Sequence, residues 1–320
     1  MNVSTNLFEK EDMRNIYWSH IKMIKDCPQR YLWTKGHPNH DLGNGYGKPK
    51  SLPPEDERSS EHHRLMGSVL SKVVELVYND ELWKDPTNLM KRVVEIAQHE
   101  FRVLETEHYC LWNYMTRAEA ENVCVEGAKN FIRIMKENKL IGQWSRSEVR
   151  MTPKLNDKIN VSGIADLIYR DKNNVIHILD GKNAMTPNKY EDPDQLRWYA
   201  LAFYLQYGIV PKRLGFFYFR YPPKNPPKNH DDTWNGMVEV SISKDDLKRL
   251  SKEAINISNI IDKGEFEAKP KAKHCQFCPY ESACKERQDQ KELNRSKRKP
   301  KTVKKDPRLE NVENFKKFGL

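Results

Sequence analysis

Two apolar runs joined by a short polar turn, 158–170 and 174–182, constrain this chain more than any other feature. Both are rich in Val, Ile, Leu and Tyr, and the turn between them reads DKNN, so they form adjacent antiparallel strands. Asp166 lies towards the centre of the first strand, while Asp180 and Lys182 end the second as D-G-K. The period of two puts Asp180 and Lys182 on one face. Strand pairing then carries Asp166 to within a few ångströms of Asp180.

Two carboxylates that close repel each other unless a cation lies between them. A hard divalent ion with oxygen ligands, Mg²⁺ or Mn²⁺, suits such a pair. Asp166, Asp180 and the intervening Gly181 are the candidate ligands. Such an ion acidifies a bound water and neutralises charge growing on a phosphate. Lys182 can hold the attacking water or balance developing negative charge. The set suits phosphodiester hydrolysis. Asp-Gly is also a common turn dipeptide, so ordinary strand-end charges are the competing interpretation. The apolar VIHIL leading straight into D-G-K favours chemistry, because a buried strand delivers charged groups to one end.

Around this hairpin the pattern is mixed. Helical spacing is expected over 13–35, 61–78, 88–107, 117–138, 192–207 and 244–263. Further strands are expected at 147–155, 213–221 and 238–242. The stretch 36–60, rich in Pro, Gly and Asn, reads as a loop. FFYFRY at 216–221 reads as a core strand more than as a base-stacking platform. The order predicts an α/β core in residues 1–286, a mixed sheet flanked by helices, with a helical insertion at about 80–140 and a basic, disordered tail at 287–320.

Six cysteines are present. Cys110 and Cys124 fall in a helical region as buried thiols. Cys27 stands far upstream of Cys275, Cys278 and Cys284, which form C-x2-C-x5-C. In a reducing compartment that spacing points to a metal or cluster site, and four thiolates suit Zn²⁺ or a 4Fe–4S cluster equally.

The combined pattern resembles the RecB-like branch of the PD-(D/E)xK nucleases, an α/β restriction-endonuclease-like fold. GIAD matches the family's G-x-x-D strand at Asp166, and Asp180 with Lys182 matches its D-x-K pair. PDQLRWYALAF matches its Q-x-x-x-Y helix at Gln195 and Tyr199, whose spacing puts both on one helical face. The resemblance implies that this face looks onto the active site. The Cys-Pro at Cys27 with the C-terminal cysteine triplet resembles cluster-bearing members such as AddB-type nucleases and CRISPR adaptation nucleases, and it implies a 4Fe–4S site that closes the domain. One element departs. The family's G-x-x-x-H helix carries a metal-binding histidine, and the local GSVLS puts Ser71 there. Glu75, one turn further, and His63, before the helix, are candidate replacements. Glu148, on the first strand, matches a loosely kept acidic position.

The net charge of +10 is uneven. Residues 285–308 hold 11 Lys/Arg and 4 Asp/Glu, a net of +7, so the rest is near +3. Such a tail favours polyanions and contacts phosphates without reading bases. No run approaches the ~20 apolar residues of a bilayer span, and the polar start carries no secretory signal. A cytoplasmic protein with no membrane association is the expectation. The resemblance implies a metal-dependent DNA nuclease acting on single-stranded DNA or DNA ends. No P-loop is present, so a helicase or a recombination or adaptation protein would be the motor or partner. A catalytically inactive DNA-binding scaffold that keeps the fold is the alternative, and an RNA-directed nuclease is a third reading.

Overall fold

The structure is a computed structural model that describes residues 13–35, 61–108, 110–112, 115–140, 144–185, 191–228, 230–231, 233–276, 278–282 and 284–296. The expected loop at 36–60, and the tail from 297 onward, lie outside the described residues.

A six-stranded mixed sheet forms the centre. Its strands are β1 (Arg14–Tyr17), β2 (Trp144–Met151), β3 (Ile159–Arg170), β4 (Ile176–Lys182), β5 (Arg213–Tyr218) and β6 (Met237–Val240). They run in the order β1-β3-β4-β5-β6, with β2 also paired to β3. β1 pairs with β3 and β4 with β5 in parallel; the other pairings are antiparallel. The mixed sheet flanked by helices matches the expected architecture.

Two apolar layers cover the sheet. One gathers α1 (Trp18–Asp26), α6 (Pro193–Tyr207) and α7 (Lys244–Lys263) around Ile168, Ile178, Phe216 and Tyr218. The other gathers α3 (His62–Asn79), α4 (Leu89–Leu104) and α5 (Arg117–Glu137) around Leu167, Leu179, Phe217 and Phe219. Residues 80–140 therefore supply about half of the buried residues of this second layer. Phe216, Phe217, Tyr218 and Phe219 are all buried, in keeping with a core strand.

Local chemistry sets the helix ends. Thr116 with Glu119, and Ser243 with Asp246, form capping boxes that satisfy the first free N–H groups of α5 and α7. Asp192 caps α6, Pro193 starts it, and Gly208 ends it at φ +72°.

Two expectations need correction. The single helix over 13–35 is instead β1, α1 and α2 (Pro28–Lys35). Pairing with Ile159–Ser162 draws Arg14–Tyr17 into the sheet, and Cys27 breaks the helix in an extended conformation because the residue before proline avoids the helical region. The chain past Glu286 does not lose order at once. After the short α8 (Ala272–Cys275), α9 (Lys285–Ser296) follows, held by buried Arg287, whose Nε donates to Glu281 at 2.9 Å.

Candidate active site

β3 changes its facing at Asp166. Val161 and Ala165 pack into the α6–α7 layer, whereas Leu167 and Tyr169 pack into the α3–α5 layer. Regular alternation would put all four on one face. β2 is disturbed at the matching point. Its pairing with β3 skips from Ser147↔Leu167 to Val149↔Ala165, and Glu148 between them takes φ +52°. A non-glycine residue in the left-handed region is uncommon and strained. The register places Glu148 opposite Asp166. One step beyond Leu167↔Leu179, it places Asp166 opposite Asp180. Three acids thus form a row across β2, β3 and β4, at the point where the two layers part.

β4 delivers its charged end by changing partner. After Leu179 its pairing continues only with β5, through Asp180↔Phe216, Gly181↔Phe217 and Lys182↔Tyr218. The Gly181 N–H, freed from the β3 ladder, donates to Asp166 Oδ2 at 2.9 Å. Gly181 has no room for a side chain: a Cβ would stand 2.8 Å from carbons of Phe217 and Phe219.

α6 closes the site. Gln195 Nε2 donates to Asp180 Oδ1 at 3.0 Å and to Tyr199 Oη at 2.9 Å, while Lys182 Nζ donates to Gln195 Oε1 at 3.3 Å. Lys182 Nζ also ion-pairs with Asp180 Oδ2 at 2.5 Å. Tyr199 packs its ring on Gly163, where a Cβ would meet it at 2.9 Å. The next residue, Trp198, donates to the Ser162 carbonyl at 2.9 Å. Asp166, Asp180, Lys182, Gln195 and Tyr199 are therefore all brought together.

Electrostatics mark this row as short of positive charge. Burial, then the charge of Asp180, pushes the Asp166 carboxyl well above the usual carboxylate range. Burial also raises Asp180, against the pull of Lys182. Asp180 is 3% exposed, and its Oδ2 makes no well-aligned hydrogen bond. Glu148 is raised as well, first by partial burial, then by Glu75 and Asp180. Burial lifts the Tyr199 phenol further. Among the described residues no three His, Cys, Asp or Glu side chains are already gathered into a metal cage. The donor set still fits a hard divalent cation. It offers carboxylate oxygens in register, with the Lys182 ammonium against one of them, the buried Asp180 Oδ2.

The weaker candidates separate. Ser71, Glu75 and Glu148 line one cleft beside the row. Glu75 accepts from Lys72 Nζ at 2.9 Å. His63 does not line that cleft. It stacks near His62, with ring centroids 4.0 Å apart, and burial, His62 and Arg220 hold its pKa down. The strain at Glu148 and the Gly181 N–H bond escaped sequence reasoning, since neither has a residue-type signal.

Cys27, Cys275, Cys278 and Cys284 line one cavity, together with Arg30, Trp33 and His274, although no three of the thiols stand close enough together to hold a metal as placed. All are free thiols. Burial raises Cys278, and raises Cys284 to about 11. Cys110 is half-buried and Cys124 buried, the latter pushed up to about 12 by burial.

A family model described as the PD-(D/E)XK nuclease superfamily matches residues 18–285. A search of curated proteins gave no match. Among solved structures, the crystal structure of SSO0001 aligns at 13% identity and a TM-score of 0.32, covering 71% of this chain and 97% of that one. That likeness is too low to bear on function.

Proposed function

The chain belongs to the PD-(D/E)XK nuclease superfamily, and from that premise we propose that it is a Mg²⁺- or Mn²⁺-dependent deoxyribonuclease of the RecB-like branch, acting on single-stranded DNA or DNA ends. The observation that carries this reading is the row Glu148–Asp166–Asp180 with Lys182 and Gln195 against its buried end. Asp166, Asp180 and the Gly181 main chain would hold the cation, with Glu148 as a further oxygen donor. When bound, the ion supplies an acidified water and charge neutralisation at the phosphate. Lys182 balances negative charge on the reacting phosphate or holds the water. Gln195 fixes the Asp180 carboxylate and the Lys182 ammonium relative to each other, and Tyr199 anchors Gln195. Among the described residues no helix is long and apolar enough to cross a membrane.

The second part of the reading is a 4Fe–4S cluster held by Cys27, Cys275, Cys278 and Cys284, with Zn²⁺ as the competing occupant. The shared cavity of the four thiols supports it. Cys27 and Cys275 lie 248 positions apart (275 minus 27), so a bound group would close nearly the whole domain into one loop and couple assembly to folding. The basic residues after α9 supply sequence-independent affinity for nucleic acid.

The test is cleavage of end-labelled single-stranded DNA in Mn²⁺, with an RNA lane alongside. Cleavage is expected from the wild type and not from Asp180→Ala. Cleavage surviving Asp180→Ala would refute the assignment, and tight DNA binding without cleavage by either would favour the inactive scaffold. That second reading rests on one observation: Ser71 stands where the family places a metal-binding histidine.

A further inference from the structure

α3 lays Arg64, Gly67, Ser68, Ser71, Lys72 and Glu75 along one flank, at the spacings of successive helical turns. With Leu104 of α4 and Glu148 of β2 they line a cleft of about 530 Å³. Glu148, the outermost of the row of acids, is part of its lining, so the cleft borders that row.

Gly67 is the informative residue. A glycine inside a helix costs roughly 0.5–1 kcal/mol relative to alanine. Elsewhere in this chain that cost has a visible return. Gly127, Gly163 and Gly181 stand where a Cβ would meet a neighbour at 2.8–2.9 Å, and Gly208 and Gly264 take the left-handed conformation. Gly67 does neither: its φ is helical, and a Cβ there would meet nothing within 4 Å. Ser68 and Ser71 continue the same low floor. The bare floor keeps open a space that no part of the described protein fills.

The lining selects the occupant. It is mixed: Arg64, Ser68, Ser71, Lys72, Glu75 and Glu148 bring polar groups, while Leu104, Gly67 and the aliphatic stems of the long side chains give apolar surface. Two cations stand on it, Arg64 and Lys72. Each is held only by an acid three residues away, through Arg64–Glu61 at 2.6 Å and Lys72–Glu75 at 2.9 Å. Exposed pairs of this kind are worth little and yield readily to a phosphate. A purely apolar ligand would leave Arg64 and Lys72 unmatched, and a metal ion alone would not need the volume. A sugar, base and phosphate joined to a strand whose next phosphate lies over the acids would match both the lining and the opening. The cleft is open, so an unpaired base can lay its face on the floor, whereas a base inside a paired stack has no free face to offer.

We propose that this cleft seats the nucleotide adjoining the cleaved phosphate, with Arg64 and Lys72 on its phosphate, and that it gives the protein its preference for unpaired strand. The proposal rests on the nuclease reading for the identity of the acids. Its test therefore reads affinity, so that the two can fail separately. Full-length protein is titrated in Ca²⁺ with labelled oligothymidylate, and with the same strand annealed to oligoadenylate, by fluorescence anisotropy. Gly67→Leu fills the cleft from open space with a better helix former, so the fold should hold. It is expected to weaken binding of the single strand roughly tenfold, the scale of one lost base contact, and to leave the duplex unchanged. Arg64→Gln and Lys72→Gln should each lower the salt slope of single-strand binding by about 0.7. Unaltered single-strand affinity in Gly67→Leu, equal weakening of both substrates, or a wild type that does not bind oligothymidylate would each overturn the proposal. Cleavage in Mn²⁺, measured separately, decides the nuclease reading.

Discussion

Trp18 donates its indole N–H to Asp192 Oδ2 at 3.0 Å, across 174 positions of sequence. The same Asp192 caps α6, its other oxygen accepting from the Asp194 N–H at 3.2 Å and its carbonyl accepting from the Gln195 N–H at 2.8 Å. Trp18 also packs on Trp198, with ring centroids 6.2 Å apart. α1, which ends at Cys27, is thereby a strut between the thiol cavity and the turn that presents Gln195. Trp18→Phe keeps the ring and removes the donor. Losing one hydrogen bond of about 1 kcal/mol predicts a roughly fivefold fall in kcat with KM little changed. Steady-state cleavage kinetics check it. An equal fall for Trp18→Phe in an Asp192→Ala background, where no side-chain acceptor remains, would show that the bond is not the cause.

The raised carboxyls predict an unusual stability profile. Asp166 and Asp180 hold their protons to higher pH in the folded chain than in the unfolded one. Between the ordinary value of 3.8 and the raised ones, the folded state therefore binds more protons. Stability of the metal-free protein should accordingly fall as pH rises through that window and stay low at pH 8. Asp180→Asn removes one of the two charges and should raise the metal-free Tm at pH 8 by a few degrees, with the difference shrinking towards pH 4. A divalent cation binds only the ionised pair, so Mn²⁺ should raise the wild-type Tm more at pH 8 than at pH 5 and do little for Asp180→Asn. Differential scanning fluorimetry across pH reads both effects. A wild type more stable than Asp180→Asn at pH 8 without metal would contradict the assigned electrostatics.

What the sequence shows of this protein, and what it hides, divides along physical lines. α3, α4, α5 and α7 carry apolar residues at helical spacing, and the β3–β4 hairpin carries alternation with a turn, so each is legible locally. The grouping of Asp166, Asp180 and Lys182 follows from period and order, whereas the approach of Gln195 and Tyr199 to them is implied by the family resemblance alone. β1 is four residues long and is a strand only because β3 pairs with it. α9 has almost no apolar stripe, and a buried Arg287 does the work usually left to leucine. The change of facing at Asp166 defeats simple alternation. Glu148 is drawn into the row by a left-handed backbone that no residue type announces. The Trp18–Asp192 bond joins segments too distant for any local rule.

The thiol cavity predicts a colour and a dependence. Protein purified without oxygen should be brown, with about four irons per chain. Cys27→Ser should lose the absorbance and lower the Tm by several degrees, because the long loop is no longer closed. Cys110→Ser should do neither, since Cys110 lies with the α3–α5 layer and away from the cavity. Metal analysis decides between occupants: stoichiometric zinc without iron would overturn the cluster.

Ser71 offers a way to ask how far this site has moved from its family's pattern. It lines the same cleft as Glu75 and Glu148, one helical turn before Glu75. Imidazole suits transition metals far better than Mg²⁺, whereas carboxylates accept either. If the acid row binds the cation, Ser71→His adds a nitrogen ligand beside it. The Mn²⁺ concentration giving half-maximal cleavage should then fall roughly tenfold, while the Mg²⁺ requirement stays within about twofold. Glu75→Gln should move the Mn²⁺ requirement the other way if Glu75 has taken over the missing ligand's place, and leave it unmoved if Glu75 only pairs with Lys72. Titrations of both ions on the three proteins separate these outcomes. An unchanged Mn²⁺ requirement in Ser71→His would place the cation deeper along β3 and β4, with Asp166 and Asp180 alone among the acids.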